Sequence, residues 1–224
     1  MKISILCPTR KRKDALEKSL NSLKERMSPD NQLELLLAFD NDDKESLDYA
    51  IEKFPEAVFI SSPRKGYKNL NLYYNALGGV STGDWLFVWN DDLLMETQNW
   101  DKIIEGYGDK FRILNPKNNH SWSDKISLFP IVPRKYYEIL GHISFSPHND
   151  TWVEEIGNLL NESLSEKVFI PIEGIYLIHN RFDLTGANKD ETFLEREYQH
   201  KAFYSEEMVE ARWVDFDKVK EAIS

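Results

Sequence analysis

The chain has 224 residues, 41% of them hydrophobic and 12% aromatic, enough for one sizeable core. A formal net charge of -10 argues against a sequence-independent grip on nucleic acid, which needs Lys and Arg to neutralise phosphates. Cys7 is the only cysteine, so an intramolecular disulfide and a thiolate zinc cage are both excluded and a reducing compartment fits.

"MKISILCPTRKRKD" places a short apolar run before a basic cluster, the reverse of a secretory signal, and no stretch approaches the roughly 20 apolar residues of a membrane span. The expectation is a soluble, cytoplasmic protein without a membrane span.

"ISILC" (3–7), closed by Pro8, reads as a buried strand. Leu16, Leu20, Leu23 and Met27 then recur at helical spacing, predicting an amphipathic helix from about Asp14 to Met27. "LELLLAF" (33–39) is a second buried strand running into the acidic "DNDDKE". Leu47, Ile51 and Phe54 suggest a short helix, and "AVFI" (57–60) a third strand before the polar loop "SSPRKGYKN". Leu70, Tyr73, Leu77 and Val80 fit a helix closed by Gly78-Gly79 and Ser81-Thr82-Gly83, and "WLFVW" is the fourth strand.

Beyond residue 95 the pattern is less regular. "ISLFPIVP" (126–133) reads as a strand, Thr151–Leu164 as a helix, and "KVFIPIEGIYLIHN" (167–180) as one or two strands broken at Gly174. From Asp190 the tail is charged and helical, with Phe193, Tyr198, Phe203, Tyr204, Trp213 and Phe216 available to dock it. Alternating strands and helices over the first ninety residues predict an α/β fold with a mostly parallel, doubly wound central sheet flanked by helices. We expect one domain in three parts: a regular α/β half at 1–95, a less regular half at 96–180, and a flexible loop with a C-terminal helical tail at 181–224.

In such sheets functional residues gather beyond the carboxyl ends of the strands. Strand one is followed by Thr9, Arg10 and Arg12, strand two by Asp40, Asp42 and Asp43, strand three by Arg64 and Lys65, and strand four by Asn90, Asp91 and Asp92. Carboxylates beside cations in one crevice suit a hard divalent ion together with a phosphorylated ligand. Taken singly, each cluster also has a plain structural explanation. Adjacent aspartates after a strand form solvated turns, and "DNDDKE" can cap the next helix. The cations of "TRKRK" stand at a helix start, where positive charge opposes the helix dipole and calls for another reason.

These residues resemble the inverting family 2 glycosyltransferases, which have the GT-A nucleotide-sugar-binding fold. "ISILCPTRKRKDALEKSLNSL" is similar to the family's opening strand, Pro-Thr turn and helix, and "LELLLAFDNDD" to its second strand and acidic turn. "NLYYNALGGVSTGDWLFVWNDD" is similar to its helix, small-residue turn and strand ending in an Asp-X-Asp-type motif. The match covers about the first hundred residues well and the remainder loosely.

Position by position, the resemblance implies that Thr9 and Arg12 lie near the nucleotide. Asp40, or in the alternative Asp42, faces the base, and Arg64 approaches the base or the diphosphate. Asp91 sits near the ribose, and Asp92 binds a divalent metal, Mn or Mg, through the diphosphate. Asn90 departs from the first position of the motif, and the Asp-Asp-Gly-Ser turn and the Gln-X-X-Arg-Trp pattern of processive synthases are absent.

An inverting transfer needs a base for the acceptor hydroxyl. In "SPHNDTWVEEIGN", Asp150 resembles the family's base, with Glu154 and Glu155 as runners-up and an N-cap role for Asp150 as the plain alternative. His179 in "HNR" resembles the late histidine that completes the metal site in many such enzymes, and Arg181 would reach the diphosphate. His148 is a weaker metal candidate, and His120, His142 and His200 have no distinguishing context. Trp85, Phe87 and Trp89 share one strand face and read as core, whereas Trp122 and Trp152 are candidates for sugar stacking. Residues 181–192 suit a loop that closes over bound nucleotide.

The resulting expectation is a metal-dependent inverting glycosyltransferase of hexosyltransferase type. It moves a sugar from a nucleoside diphosphate donor, a UDP-sugar first, to a hydroxyl on a glycan or another acceptor. The alternatives are a catalytically silent nucleotide- or carbohydrate-binding protein of the same fold, and a nucleotidyltransferase. The latter usually carries a glycine-rich phosphate loop that "CPTRKRKD" lacks.

Overall fold

Strict alternation along the apolar strands builds two cores, one on each face of a single sheet. A computed structural model describes residues 1–121, 126–181 and 203–224. Its order of elements is β1 (Lys2–Pro8), α1 (Lys13–Arg26), β2 (Gln32–Asp40), α2 (Lys44–Lys53), β3 (Val58–Ser62), a 3-10 turn (Tyr67–Asn69) and α3 (Leu70–Val80). It continues with β4 (Trp85–Val88), β5 (Leu93–Met95), α4 (Trp100–Glu105), β6 (Ile113–Asn118), β7 (Ile131–Pro133), α5 (Arg134–Leu140), α6 (Asn149–Ser163), β8 (Phe169–His179) and α7 (Glu206–Ile223).

The eight strands lie in the order β3-β2-β1-β4-β7-β6-β8-β5. β1 pairs in parallel with both β2 and β4, and β2 with β3, which makes the nucleotide-side half a parallel α/β sheet as the alternation predicts. β7 joins β4 and β6 antiparallel, β8 runs parallel to β6, and β5 closes the edge antiparallel to β8.

Ile3, Ile5, Leu35, Leu37, Phe39, Trp85, Phe87 and Trp89 point to one face, where they meet Leu16, Leu20 and Leu23 of α1. Leu6, Leu36, Ala38, Leu86 and Val88 point to the other, against Tyr73, Tyr74 and Leu77 of α3 and the apolar sides of α5 and α6. Period-two side-chain direction sets both assignments. Trp85, Phe87 and Trp89 are therefore core, as their spacing predicts, and the Trp89 indole donates to Ser19 Oγ at 2.8 Å.

Several expectations need correction. Gly78 and Gly79 lie inside the last turn of α3 rather than ending it. A Cβ on Gly78 would stand 2.5 Å from the Tyr137 ring, so the glycine there admits α5. Only Ile131–Pro133 of the "ISLFPIVP" run is strand, because three residues suffice to bridge β4 and β6. β8 is one strand, and its irregularity opposite Pro116 and Lys117 takes up the residues around Gly174. β5, α4, β6 and α5 lack the periodicity that would have announced them.

The tail helix α7 docks as foreseen, with Phe203 and Phe216 buried, while Tyr204 and Trp213 stay exposed. Phe193, Tyr198, His200, Trp122 and the 182–192 part of the expected closing loop lie outside the described residues. Among the described residues no helix is long and apolar enough to cross a membrane.

Candidate functional site

The carboxyl ends of β1, β2 and β4 open into one cleft of about 170 Å³. Pro8 comes from the end of β1, Thr9, Arg10 and Arg12 from the β1–α1 turn, Ala38 and Asp40 from β2, and Asn90, Asp91 and Asp92 from the turn after β4. The loop after β3 supplies Arg64, Gly66 and Tyr67, α3 supplies Leu70, Tyr73 and Tyr74, and the end of β8 brings His179 and Arg181. Eight of the residues expected from sequence thus share this cleft: Thr9, Arg12, Asp40, Arg64, Asp91, Asp92, His179 and Arg181.

Asp91 and Asp92 do different work. Asp91, 4% exposed, accepts from Thr9 Oγ1 at 2.7 Å and from Arg12 Nη1 at 2.9 Å. Burial pushes its carboxyl above the ordinary carboxylate range, against the pull of Arg12. Asp92 turns the other way, with Oδ1 3.3 Å from His179 Nε2 and Oδ2 3.7 Å from Arg12 Nη1. Burial raises Asp92 too, but His179 and Arg12 outweigh it and hold the carboxyl below its ordinary value.

The pairing of Leu93 with His179 fixes this approach, and Asn180 N donates to the Asp92 carbonyl at 2.9 Å. Asn90, at the first position of the Asp-X-Asp-like stretch, accepts from Tyr74 OH at 2.9 Å through Oδ1. A third carboxylate there would add like charge beside the buried Asp91 and the half-buried Asp92.

The basic start of α1 is explained by its partners. Arg10 reaches Asp40 at 2.9 Å and Asp42 at 2.5 Å, and Lys13 pairs with Glu45. Lys11 holds a left-handed backbone, φ 53°, and its amide donates to Asp43 Oδ2 at 2.6 Å. That conformation costs a non-glycine residue, so Asp43 fastens the turn that aims Arg10 and Arg12. Asp43 is also the N-cap position of α2, yet its side chain makes no cap bond because Lys11 occupies it.

Asp40 and Asp42 separate cleanly. Asp40 lines the cleft and accepts from Tyr73 OH and Arg10, and the Tyr73 phenol is pushed up to about 12 by burial and by Asp40. Asp42 is exposed outside the cleft lining and holds the far side of Arg10.

Asp150 is not the cap of α6. The N-cap is His148, and Asp150 stands in the first turn, accepting from Thr151 N at 2.8 Å. Burial, then Cys7 and Asp91, raise the phenol of the cleft-lining Tyr74, and Asp150, itself outside the cleft lining, adds a smaller push. Glu154, one turn on, is buried, accepts from Ser127 N at 3.0 Å, and is pushed up to about 7 mainly by desolvation. Glu155 faces α7 and pairs with Arg212 at 2.5 Å.

Trp152 is fully buried and donates to Asp215 at 3.0 Å, so it is a core residue rather than a sugar platform. His148 packs edge-on against Phe203. His142 lies 3.4 Å from Asp215.

Tyr67, Tyr73 and Tyr74 line the cleft although sequence spacing marks Tyr73 only as helix core. His120 was missed as well: its Nε2 lies 2.9 Å from His179 Nδ1, a contact between the turn after β6 and the end of β8 that no local pattern announces.

The donor set at Asp92 and His179 fits a divalent cation. Asp92 Oδ1 is buried without a hydrogen-bond partner, and an oxygen and an imidazole nitrogen converge there. Among the described residues no cluster of three or more His, Cys, Asp or Glu could hold a metal. Such an ion would rely on ligand oxygens and water, the habit of Mg-type sites that use one or two protein groups plus phosphates.

No protein-family model and no curated protein sequence matches the chain. Solved structures do match in fold. A mannosyltransferase of Pyrobaculum calidifontis in complex with GDP-Man and Mn2+ superposes with a TM-score of 0.63 at 11% identity, over 98% of this chain and 73% of its own. S. aureus TarS 1–349 in complex with UDP-GlcNAc gives a TM-score of 0.64 at 13% identity, over 96% of this chain and 66% of its own. The same TarS segment in complex with UDP gives 0.60 at 13% identity, over 100% and 82%. The chain has the GT-A-like α/β fold of these nucleotide-sugar glycosyltransferases, and spans about two thirds to four fifths of their lengths.

Proposed function

We propose that the chain is a metal-dependent inverting glycosyltransferase, of the family 2 type, acting on a nucleoside diphosphate sugar and an acceptor hydroxyl. One observation carries this reading: Asp92 and His179 converge beside Arg12 and Arg181 in a strand-end cleft, on the fold of enzymes solved with UDP-GlcNAc and GDP-Man.

Pro8, Ala38, Leu70, Tyr67 and Tyr73 would enclose the base, with Asp40 accepting an imino N–H. Each Asp40 oxygen keeps one lone pair beyond its bond to Tyr73 or Arg10. Uracil and guanine offer such a donor and cytosine does not, and uridine is our proposal. Thr9, Arg12 and Asp91 would stand beside the ribose and diphosphate, and Arg64 and Arg181 would add positive charge there.

A divalent ion at Asp92 and His179 would neutralise charge growing on the leaving diphosphate. The acceptor oxygen attacks the anomeric carbon on the face opposite the diphosphate as the bond to the diphosphate breaks, and its proton would pass to Asp150. Arg12 and Arg181 hold the departing phosphates, while the neighbouring walls exclude water that would hydrolyse the donor.

Thermal-shift screening of UDP, GDP, CDP and dTDP, each with and without Mn, tests the binding half. UDP with Mn should give the largest stabilisation. Equal responses to all four, or none, would contradict the assignment.

A further inference from the structure

His179 is held from every side but one. Its backbone is clamped by Asn119, whose Oδ1 accepts from His179 N at 2.8 Å and whose Nδ2 donates to His179 O at 3.2 Å. Phe129 packs edge-on to the ring at a centroid distance of 5.1 Å. Nε2 faces Asp92, and Nδ1 faces Nε2 of His120 at 2.9 Å. His120 is itself 4% exposed, and its amide donates to Asn118 Oδ1 at 3.0 Å. Asn118, Asn119 and His120, the end of β6 and the turn after it, therefore form a built support for one imidazole.

We propose that His120 is a positioning residue that fixes the ring plane and the tautomer of His179, so that His179 Nε2 presents its lone pair beside Asp92 to a divalent cation. This rests on the metal-site reading given above.

Two imidazole nitrogens 2.9 Å apart require one proton between them. In the cation-free protein the His179 Nε2–H would face Asp92 Oδ1 at 3.3 Å without forming a hydrogen bond, and His120 Nε2–H would donate to His179 Nδ1. With a cation bound, His179 Nε2 carries no proton, Nδ1–H donates to His120, and the His120 proton moves to its own Nδ1. An imidazole at position 120 serves both arrangements because it can donate or accept, and a group behind a metal-binding histidine is worth about 10- to 100-fold in metal affinity.

The test is Mn2+ binding in the presence of UDP, followed by the electron paramagnetic resonance of the free ion. Wild type, His179→Ala, His120→Phe and His120→Gln are compared, with UDP affinity without metal and melting temperature as controls. His120→Phe should weaken Mn2+ binding by about 10-fold or more. His120→Gln, which can also donate or accept, should recover most of it, and metal-free UDP binding should not move.

A wild-type affinity in His120→Phe, with loss in His179→Ala, overturns the role of His120 alone. Absence of Mn2+ binding by the wild type overturns the metal site and this inference with it. Should His120→Phe fail to fold, 15N spectra of the wild-type histidines with Mg and UDP decide the matter. A His179 protonated at Nδ1 supports the proposal, and one protonated at Nε2 overturns it.

Discussion

His179 Nε2 stands 3.3 Å from Asp92 Oδ1 because the two belong to one antiparallel ladder, with Leu93 paired to His179 and Asn180 bonded to the Asp92 carbonyl. A histidine at the end of β8 thus meets the acidic turn after β4 through backbone register, and the side chains need only short reach. Rigid elements on both sides would preorganise the pair for the proposed cation.

Replacing Asp92 by Ala removes one of the two groups proposed to hold the ion, while Asp91 keeps its bonds to Thr9 and Arg12. The fold should survive, and Mn-dependent donor hydrolysis should drop by about 10²-fold or more. Calorimetric titration of UDP with and without Mn should show that metal no longer strengthens binding. An unchanged coupling would remove Asp92 from the site.

Asp150→Asn should bind UDP within about threefold of wild type and lose transfer by about 10²- to 10⁴-fold, the range of a general base. Single-turnover transfer to an identified acceptor is the readout. Retained transfer in Asp150→Asn, with loss in Glu154→Gln, would move the base one helical turn along α6.

Glu154 also sets a pH dependence of stability. Its folded value is raised to about 7 from an ordinary 4.5, so the folded protein retains a proton that the unfolded chain gives up earlier. The associated stability is complete below pH 4.5 and is lost as pH rises to about 7. Glu154→Gln should flatten the melting temperature across that window. Asp92, held below its ordinary value, has the opposite sign: its contribution is present above the ordinary carboxylate range and lost in acid.

Asp43→Ala leaves the Lys11 amide without its acceptor and should cost about 1–2 kcal/mol in urea denaturation. Lys11→Gly in that background should recover part of the loss, since glycine adopts φ 53° without a steric penalty. UDP affinity should fall and recover in step, because Arg10 and Arg12 flank the turn. Full stability in Asp43→Ala would show that the turn holds itself.

The first half of the chain was legible because strand-period and helix-period runs alternate there, and because acid or base follows each apolar run at a strand end. Thr9, Arg12, Asp40, Asp91 and Asp92 came from that placement, and the cleft brings them together. The second half hid its short pieces: β5 and β7 have three residues each, too few for a period, and are held by pairing with strands far away in sequence. His120 was illegible for the same reason, since its meaning lies in a contact with His179 at the end of the neighbouring strand β8. Trp152 misled because an aromatic beside a candidate base suggests a platform, whereas the docked α7 supplies Asp215 to its indole and buries it.

The central claim is tested most directly by nucleoside diphosphate released from a panel of UDP- and GDP-sugars, with Mn and with chelator. The account predicts release that needs the metal, favours a UDP-sugar and falls by about 10²-fold or more in Asp92→Ala. Tight nucleotide binding with no release from any donor, with or without candidate acceptors, would contradict it and leave a silent binding protein of the same fold.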